Sequence, residues 1–322
     1  MKMHSGVDIS VKDGRRVVTG LGYYKTREIS DLRELVKGTA GINGDTVGYK
    51  FKDKDGRIVG KTYKEFDSEV DCLGTALMSL GLKDAHISII SENRYEWGVC
   101  YFSIINGTGV AVPMDKYLPE KEVENLIERG RVEAIFYSAA FHNIMLEISK
   151  KNQRIKYYIC IDDIPDKSDK SDKPDKSDKP DKPDKLGKSD IYDLSNIACK
   201  SDKVAQYPGF VTLSSLISKG RKLIETGDRS FIDASIDPHK MSILLFTSGT
   251  TSISKGVMLS HANIVCNVLS IAATIKTYPT DVHLSLLPLH HTFENTVGLT
   301  FMIYNSVCIA YCEGIRHIAR NI

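Results

Sequence analysis

The sequence predicts an α/β protein with mainly parallel β-sheets covered by helices, and two observations support that prediction. Short apolar runs of strand length alternate with segments whose apolar residues recur at helical spacing, and short polar links join them. This alternation is typical of parallel sheets, because each crossover between parallel strands needs a helix that packs on the sheet. Apolar residues make up 42 % of the 322 residues, which is ordinary for a globular protein with a buried core.

The first elements that the sequence indicates are a β-hairpin and a helix. The favoured tight-turn pair Asp55-Gly56 separates two strand-like runs within residues 47–63. A helix is predicted over residues 64–80, where apolar side chains recur every three or four positions and Gly81 follows as a C-cap. Residues 1–26 are predicted to form an N-terminal tail, which is polar and charged at its start, unlike a signal peptide.

Residues 27–164 and 201–322 are predicted to be two parts of one helix-covered sheet domain. Strands are predicted at residues 86–91, 109–115, 132–138, 155–162, 241–248, 282–288 and 306–312. Further helices are predicted at residues 95–105, 118–129, 141–151, 213–225, 260–275 and 296–304. The last three strands and the last two helices suggest two β-α-β steps around loops that are rich in polar side chains.

A low-complexity insertion is predicted over residues 165–200. Asp-Lys pairs recur there every three residues with Ser or Pro between them, and no apolar residue occurs before Leu186. Such a segment cannot bury enough surface to offset its ordering entropy, so a disordered surface loop is expected. Its charges cancel, and the net charge of the whole chain is only +2, so nothing in the charge balance favours nucleic acid as a partner.

Cysteine usage and hydropathy indicate a cytoplasmic protein. The seven cysteines form no C-x-x-C pair, which favours buried thiols in a reducing compartment. The longest apolar stretch, residues 299–311, is interrupted by Asn305 and Ser306 and is too short to span a bilayer as a helix. We therefore expect no transmembrane segment, while peripheral association with a membrane stays open.

The stretch TSGTTSISKG, residues 247–256, has the composition of a phosphate-binding loop. Its glycines allow close backbone approach, its hydroxyls donate to phosphate oxygens, and Lys255 adds a compact positive charge. Helix capping is the alternative, because such residues often cap helices and Ser260 suits the N-cap of the next helix. The ordinary Walker pattern fails, because Ser254 precedes the lysine and Gly256 follows it.

Two motifs resemble those of one enzyme family. Residues 247–263, TSGTTSISKGVMLSHAN, resemble the phosphate-binding signature of adenylate-forming enzymes, the acyl-CoA synthetase and firefly luciferase superfamily. Residues 287–294, LPLHHTFE, resemble the next motif of its long-chain fatty acyl-CoA synthetase branch, and residues 91–130 look similar to the same branch. The sequence departs from the signature at Ser252, where Gly is usual, and at Ser254, where Pro is usual.

The resemblance implies a two-step, ATP-dependent activation of a fatty acid or another carboxylate. The carboxylate attacks the α-phosphate of Mg-ATP to give acyl-AMP and pyrophosphate, and coenzyme A then displaces AMP. By this resemblance, His291 and Lys255 are the candidate catalytic residues, and Thr247 is the candidate magnesium ligand. The candidate nucleotide-binding residues are Thr247, Ser248, Gly249, Thr250, Thr251, Ser252 and Lys255. A loop histidine that caps the following helix is the alternative for His291.

The resemblance also assigns supporting roles. His261 and Asn263 match the signature and are expected to hold the junction between the loop and the next helix. Glu294 is expected to pair across its own loop, and Gly298 to line a pocket or to pack in the core.

The resemblance extends over about residues 27–322, apart from the insertion, and corresponds to the N-terminal portion of this family. The downstream Y-G-x-T-E motif and the C-terminal half of the family fold are absent from the sequence. Three alternatives therefore stay open: a truncated ligase or one half of a split enzyme, a non-enzymatic module that binds nucleotide or acyl groups, and a diverged short enzyme. A separate C-terminal half or a second copy of the chain is the expected protein partner.

Overall fold

The computed structural model describes residues 7–20, 22–53, 55–162, 208–247 and 254–312. Within these ranges the chain forms two β-sheets of seven and four strands, a separate two-stranded hairpin, and helices that pack on the sheets. The predicted insertion, residues 165–200, and residues 248–252 of the predicted loop lie outside the described residues.

The described elements are numbered in chain order. The strands are β1 Val7–Lys12, β2 Arg15–Gly20, β3 Val47–Lys52, β4 Ile58–Thr62, β5 Ala85–Ile90, β6 Gly109–Pro113, β7 Val132–Tyr137, β8 Tyr157–Cys160, β9 Phe210–Thr212, β10 Met241–Thr247, β11 Lys255–Ser260, β12 Val282–Ser285 and β13 Cys308–Tyr311. The helices are α1 Leu32–Asn43, α2 Tyr63–Ser79, α3 Tyr95–Ser103, α4 Glu120–Arg129, α5 His142–Lys151, α6 Leu213–Glu225, α7 His261–Thr274 and α8 Met302–Tyr304. A π-helical segment, Glu294–Phe301, leads into α8.

The seven-stranded sheet has the order β11-β10-β6-β5-β7-β8-β9. Every neighbouring pair in it is parallel except the β10–β11 hairpin, which confirms the predicted mainly parallel α/β architecture. The central strands β5 and β7 are almost entirely buried apolar residues. That pattern is expected when helices cover both faces of a parallel sheet.

The four-stranded sheet has the order β12-β13-β3-β4. Strands β3 and β4 form the predicted antiparallel hairpin around Asp55-Gly56, and Gly56 takes a φ of +76° that favours glycine. Strands β12 and β13 are parallel neighbours, as a β-α-β step requires. However, β10 and β12 belong to different sheets, so α7 connects the two sheets instead of completing a crossover within one.

The N-terminal region contains two elements that the sequence does not predict. Residues 7–20 form the β1–β2 hairpin, whose turn residues Asp13 and Gly14 have φ values of 51° and 73°. Such a pair is the usual chemistry of a tight hairpin turn. Helix α1 then begins after Asp31, whose side chain caps it by accepting from the Glu34 N–H.

The environment of the cysteines agrees with the predicted buried thiols. Cys72, Cys100, Cys160 and Cys308 are buried, whereas Cys266 is exposed. Burial raises the pKa of Cys100 well above its ordinary value.

Across the part of the chain that the structure describes, no helix combines the length and the apolar character needed to cross a bilayer.

Candidate functional site

Thr247 and Lys255 face each other at the loop end of the β10–β11 hairpin. Strand β10 ends at Thr247, strand β11 begins at Lys255, and the two residues are register partners. Directly opposed residues of an antiparallel pair lie about 5 Å apart and project from the same face. The contacts predicted for Ser248, Gly249, Thr250, Thr251 and Ser252 lie outside the described residues and stay predictions.

Among the described residues, the Lys255 ammonium has no charged partner. Its side chain is exposed, and within the described ranges it has neither a carboxylate partner nor a hydrogen bond. At the opposite end of the β10–β11 hairpin, Lys240 precedes β10 and pairs with Asp84 at 2.8 Å. Lys255 can therefore bind an anion, whereas Lys240 already pairs with a carboxylate of the protein.

A cavity of about 270 Å³ opens beside Thr247. Apolar side chains of β10 and α4 line one part of it. Its polar lining consists of Asp115, Thr247, Ser254, His290, His291 and Thr292. These residues come from the carboxyl ends of β6 and β10, from the start of the β11 side of the hairpin, and from the loop after β12. Ligands of α/β sheets usually bind at such strand ends.

His291 lies at the start of the segment that leads into the π-helix. Its backbone N–H donates to Pro288 O at 2.9 Å, and its carbonyl accepts from Asn295 N at 2.9 Å. The backbone of His291 therefore makes these helix-end contacts, and its exposed imidazole lines the cavity with Thr247. This geometry favours a site role for the side chain over the helix-capping alternative.

His290 is a second histidine of the cavity that the motif comparison does not single out. Its Nε2 lies 3.8 Å from Asp115 Oδ2, and its ring is 6.2 Å from the ring of His291. Burial lowers the pKa of His290, against the opposing effect of Asp115. This shift favours the neutral form of the imidazole.

Asn93 anchors the segment that carries both histidines. Its Nδ2 donates to Ser285 Oγ at 3.2 Å and to Leu287 O at 2.6 Å, while its Oδ1 accepts from Leu289 N at 3.0 Å. The sequence places Asn93 only at the start of a helix. Local sequence does not reveal these contacts, because the partners lie more than 190 positions away.

Replacing Asn93 with alanine is expected to lower the free energy of unfolding by about 2 kcal/mol, because the Leu289 N–H and the Leu287 carbonyl lose their partner. Hydrogen exchange at residues 286–291 should accelerate as well. Urea unfolding and exchange mass spectrometry measure both effects. The control is Asn267→Ala, an exposed asparagine of α7 whose single side-chain contact lies within its own helix. Equal behaviour of the two variants would contradict the anchoring role.

The residues predicted to hold the loop–helix junction do so. Asn263 and Ser260 form a reciprocal capping box at the start of α7. His261 is almost fully buried; its Nδ1 accepts from Leu32 N at 3.0 Å, and its Nε2 lies 3.0 Å from Ile105 O. It therefore joins three elements of the fold and stays away from the cavity.

Glu294 pairs across its loop, as the sequence predicts. Its buried carboxylate accepts from Ser285 Oγ at 2.7 Å and lies 3.3 Å from His283 Nε2. Gly298 leaves the room that this carboxylate needs, since a Cβ there would lie 2.4 Å from the Glu294 carboxyl carbon. Gly298 thus serves packing at this position.

The side chains near Thr247 can be compared with the ligands that the predicted magnesium ion needs. No group of three or more His, Cys, Asp or Glu side chains that could hold a metal occurs among the described residues. Magnesium at nucleotide sites keeps few protein ligands and is held largely by phosphate oxygens and water. A single threonine hydroxyl beside the predicted phosphate-binding loop is therefore compatible with magnesium that binds together with a nucleotide. It is not compatible with a magnesium site made of protein ligands alone.

The described site places Thr247, Lys255 and His291 at the strand ends of a mainly parallel sheet, which is where ligands of α/β proteins usually bind. The chain belongs to the family of AMP-binding enzymes, whose family model matches residues 44–321.

Two curated relatives illustrate the similarity. Fatty acyl-CoA synthetase B of Dictyostelium discoideum is 28 % identical over 276 residues, which cover 84 % of this chain and 36 % of that protein. Long chain acyl-CoA synthetase 6, peroxisomal, of Arabidopsis thaliana is 24 % identical over 255 residues, which cover 79 % and 31 %. The chain thus spans about a third of the length of the curated relatives it matches.

Solved structures share the fold. An anthranilate CoA ligase in complex with anthranoyl-AMP superposes with a TM-score of 0.66 at 16 % identity, covering 93 % of this chain and 47 % of that one. A long-chain-fatty-acid-CoA ligase from Archaeoglobus fulgidus gives a TM-score of 0.64 at 13 % identity, covering 91 % and 48 %. At these identities the likeness shows the fold alone.

Proposed function

We propose that this chain acts in the ATP-dependent activation of a fatty acid, first to acyl-AMP and then to acyl-CoA. The observation that carries the proposal is the convergence of Thr247 and His291 on one cavity, with the exposed Lys255 side chain at the adjoining end of the hairpin. Membership in the AMP-binding family and the names of the relatives support the same reaction.

The proposed mechanism is electrostatic and positional. Lys255 and the loop hydroxyls bind the β- and γ-phosphates of ATP, while His291 orients the fatty acid carboxylate toward the α-phosphate. A carboxylate oxygen then forms a bond to the α-phosphorus and pyrophosphate leaves; in the second step the coenzyme A thiol displaces AMP. Magnesium, when bound with the nucleotide, offsets the phosphate charge, and the Thr247 hydroxyl would be its ligand from this part of the fold.

We also propose that residues 165–200 are an insertion within one domain made of residues 27–164 and 201–322. Strand β8 precedes the insertion and β9 follows it, and the two are parallel neighbours with Tyr158 opposite Phe210. The chain therefore returns to the same sheet edge after the insertion. The buried thiols support a cytoplasmic location.

Two further versions of the proposal can be distinguished from it by experiment. In one, a second polypeptide that carries the rest of the family fold completes the enzyme. In the other, the chain binds nucleotide or acyl groups without turnover.

The test is ATP binding and fatty-acid-dependent AMP release with Mg-ATP and coenzyme A. Lys255→Ala should weaken ATP binding about 10-fold or more and abolish AMP release, because a charge-assisted contact to phosphate is lost. Lys240→Ala is the matched control, since it removes the same charge at the opposite end of the hairpin from a lysine that already has a partner. Both activities should persist in the control.

The possible outcomes separate the versions of the proposal. ATP binding without AMP release would favour the binding module. AMP release that needs an added polypeptide carrying the C-terminal part of the family fold would favour the split enzyme. Wild-type protein that fails to bind ATP, or Lys255→Ala protein that binds it as well as wild type, would contradict the proposed site.

A further inference from the structure

One face of helix α4 contacts the loop end of the β10–β11 hairpin. Glu122, Leu126 and Arg129 lie four and three positions apart, so they share that face. Ser254 Oγ donates to Glu122 Oε1 at 3.2 Å, and the Arg129 guanidinium donates to the Ser254 carbonyl. Both polar groups of Ser254 that point toward α4 are therefore bound by oppositely charged side chains of one helix.

Further contacts hold these two charged side chains in place. Asn125 Nδ2 donates to the second carboxylate oxygen of Glu122 at 3.2 Å. The Arg129 guanidinium lies over the ring of Phe246 in β10, 5.3 Å from the ring centroid. Leu126, between them, is 3 % exposed and lines the cavity. The contacts thus join α4 to both strands of the hairpin.

The position of Ser254 in the chain connects the contacts of α4 to Lys255. It directly precedes Lys255, and residues 248–253 separate it from Thr247 at the end of β10. A residue that becomes ordered around a ligand loses conformational entropy, so holding Ser254 in place before binding reduces that cost for the adjacent Lys255. The family signature usually has proline here, which restricts φ covalently; in this chain, side-chain contacts from α4 restrain the same position.

We propose that Glu122 and Arg129 are positioning residues that clamp Ser254 and thereby fix the Lys255 ammonium relative to Thr247 and the cavity. This inference rests on the proposed function in one respect, namely that the ligand of Lys255 is the phosphate chain of ATP. The clamp itself is a property of the protein without ligand, and it distinguishes this chain from a signature with proline.

The experiment compares Ser254→Ala and Glu122→Ala with wild type in the full chain. Hydrogen exchange of the peptide spanning residues 244–260, without nucleotide, should accelerate about 10-fold in each variant, and the affinity for Mg-ATP should fall by a similar factor. The melting temperature should stay close to that of wild type, because both side chains lie at the protein surface or its margin. Ser254→Thr, which keeps the hydroxyl, should restore both readouts.

Two controls make the test specific. Glu128→Ala removes a carboxylate from another face of α4 that pairs with Arg154 at 3.0 Å, and it should change neither exchange nor affinity. The double variant Ser254→Ala/Glu122→Ala should be no worse than either single variant, because both remove one contact.

Each outcome decides either the clamp or the proposed function. Unchanged exchange in both single variants, or faster exchange with unchanged ATP affinity, would overturn the positioning role. If wild-type protein fails to bind ATP, the proposed function fails, while the exchange comparison still decides whether Glu122 restrains Ser254. Additive effects in the double variant would show that the two residues act separately and would also overturn the clamp.

Discussion

Replacing Gly220 with alanine is expected to lower the free energy of unfolding by more than about 4 kcal/mol, enough to unfold a marginal domain. Helix α6 crosses α2 at this glycine, and an added Cβ would lie 1.7 Å from Cys72 O and 2.6 Å from Cys72 C. These are backbone atoms of α2, so no side-chain rotation can relieve the clash. The two helices would have to separate, which exposes the apolar surface between them.

Gly41→Ala is the matched control for this substitution. Gly41 lies in helix α1, is exposed, and has no atom within 4 Å of the position that its Cβ would take. Alanine there should be neutral or stabilising by up to about 1 kcal/mol, because glycine is a poor helix former. Urea unfolding followed by circular dichroism compares the two variants. Wild-type stability of Gly220→Ala would mean that α2 and α6 do not cross as described.

The sequence predicts the alternating part of the fold well, because periodic burial leaves a local signal. Helix α6 lies at the predicted residues 213–225, and each predicted strand from residue 86 onward overlaps a described strand. The β1–β2 hairpin is missed although Asp13-Gly14 is the same type of turn pair as Asp55-Gly56. Residues 7–12 alternate apolar and polar side chains, so a strand signal is present there and the prediction of a tail overlooks it.

Sheet assignment cannot be predicted from the same local signal. Helix α7 links β10 to β12 as a β-α-β pattern suggests, yet the two strands belong to different sheets. The sheet to which a strand belongs is decided by pairing with strands that are distant in the sequence. Strand β10 lies beside β6, and β13 lies beside β3. Such pairings depend on the packing of the whole chain.

The sequence predicts the reactive residues of the candidate site, but it does not predict the residues that hold them in place. Thr247, Lys255 and His291 follow from motifs in which the reactive types sit close together in sequence. Asn93 and Glu122 are not predictable in this way, because their partners Leu289 and Ser254 lie 196 and 132 positions away. A carboxylate on an exposed helix and an asparagine before a helix have ordinary local explanations, and only the tertiary contact reveals their role.

Replacing His261 is the second substitution with a large expected effect on stability. The physical reason is that one buried imidazole makes hydrogen bonds with two backbone groups. Nδ1 accepts from the Leu32 N–H, so the ring proton is on Nε2, from which it donates to the Ile105 carbonyl. His261→Ala removes both bonds and leaves a cavity at a site that is 1 % exposed. We expect a loss of about 3–5 kcal/mol in the free energy of unfolding. His239→Ala, at an exposed histidine, should cost little.

The same geometry sets the pH dependence of stability. Protonating Nδ1 would break the bond from Leu32, and burial lowers the pKa of His261 below its ordinary value of 6.5. Above that ordinary value both folded and unfolded chains hold the imidazole neutral, and its full contribution to stability is present. As the pH falls below about 6.5, the unfolded chain takes up a proton that the folded chain resists, so stability is lost.

The measurement is urea unfolding of wild type and His261→Ala from pH 7.5 to pH 5. Burial also lowers the pKa values of His142 and His290, but both variants keep those groups, so the difference between the two curves isolates His261. The stability gap between wild type and variant should shrink as the pH falls. A gap that stays constant or widens would mean that His261 is protonated in the folded protein, and that the Leu32 N–H is not its partner.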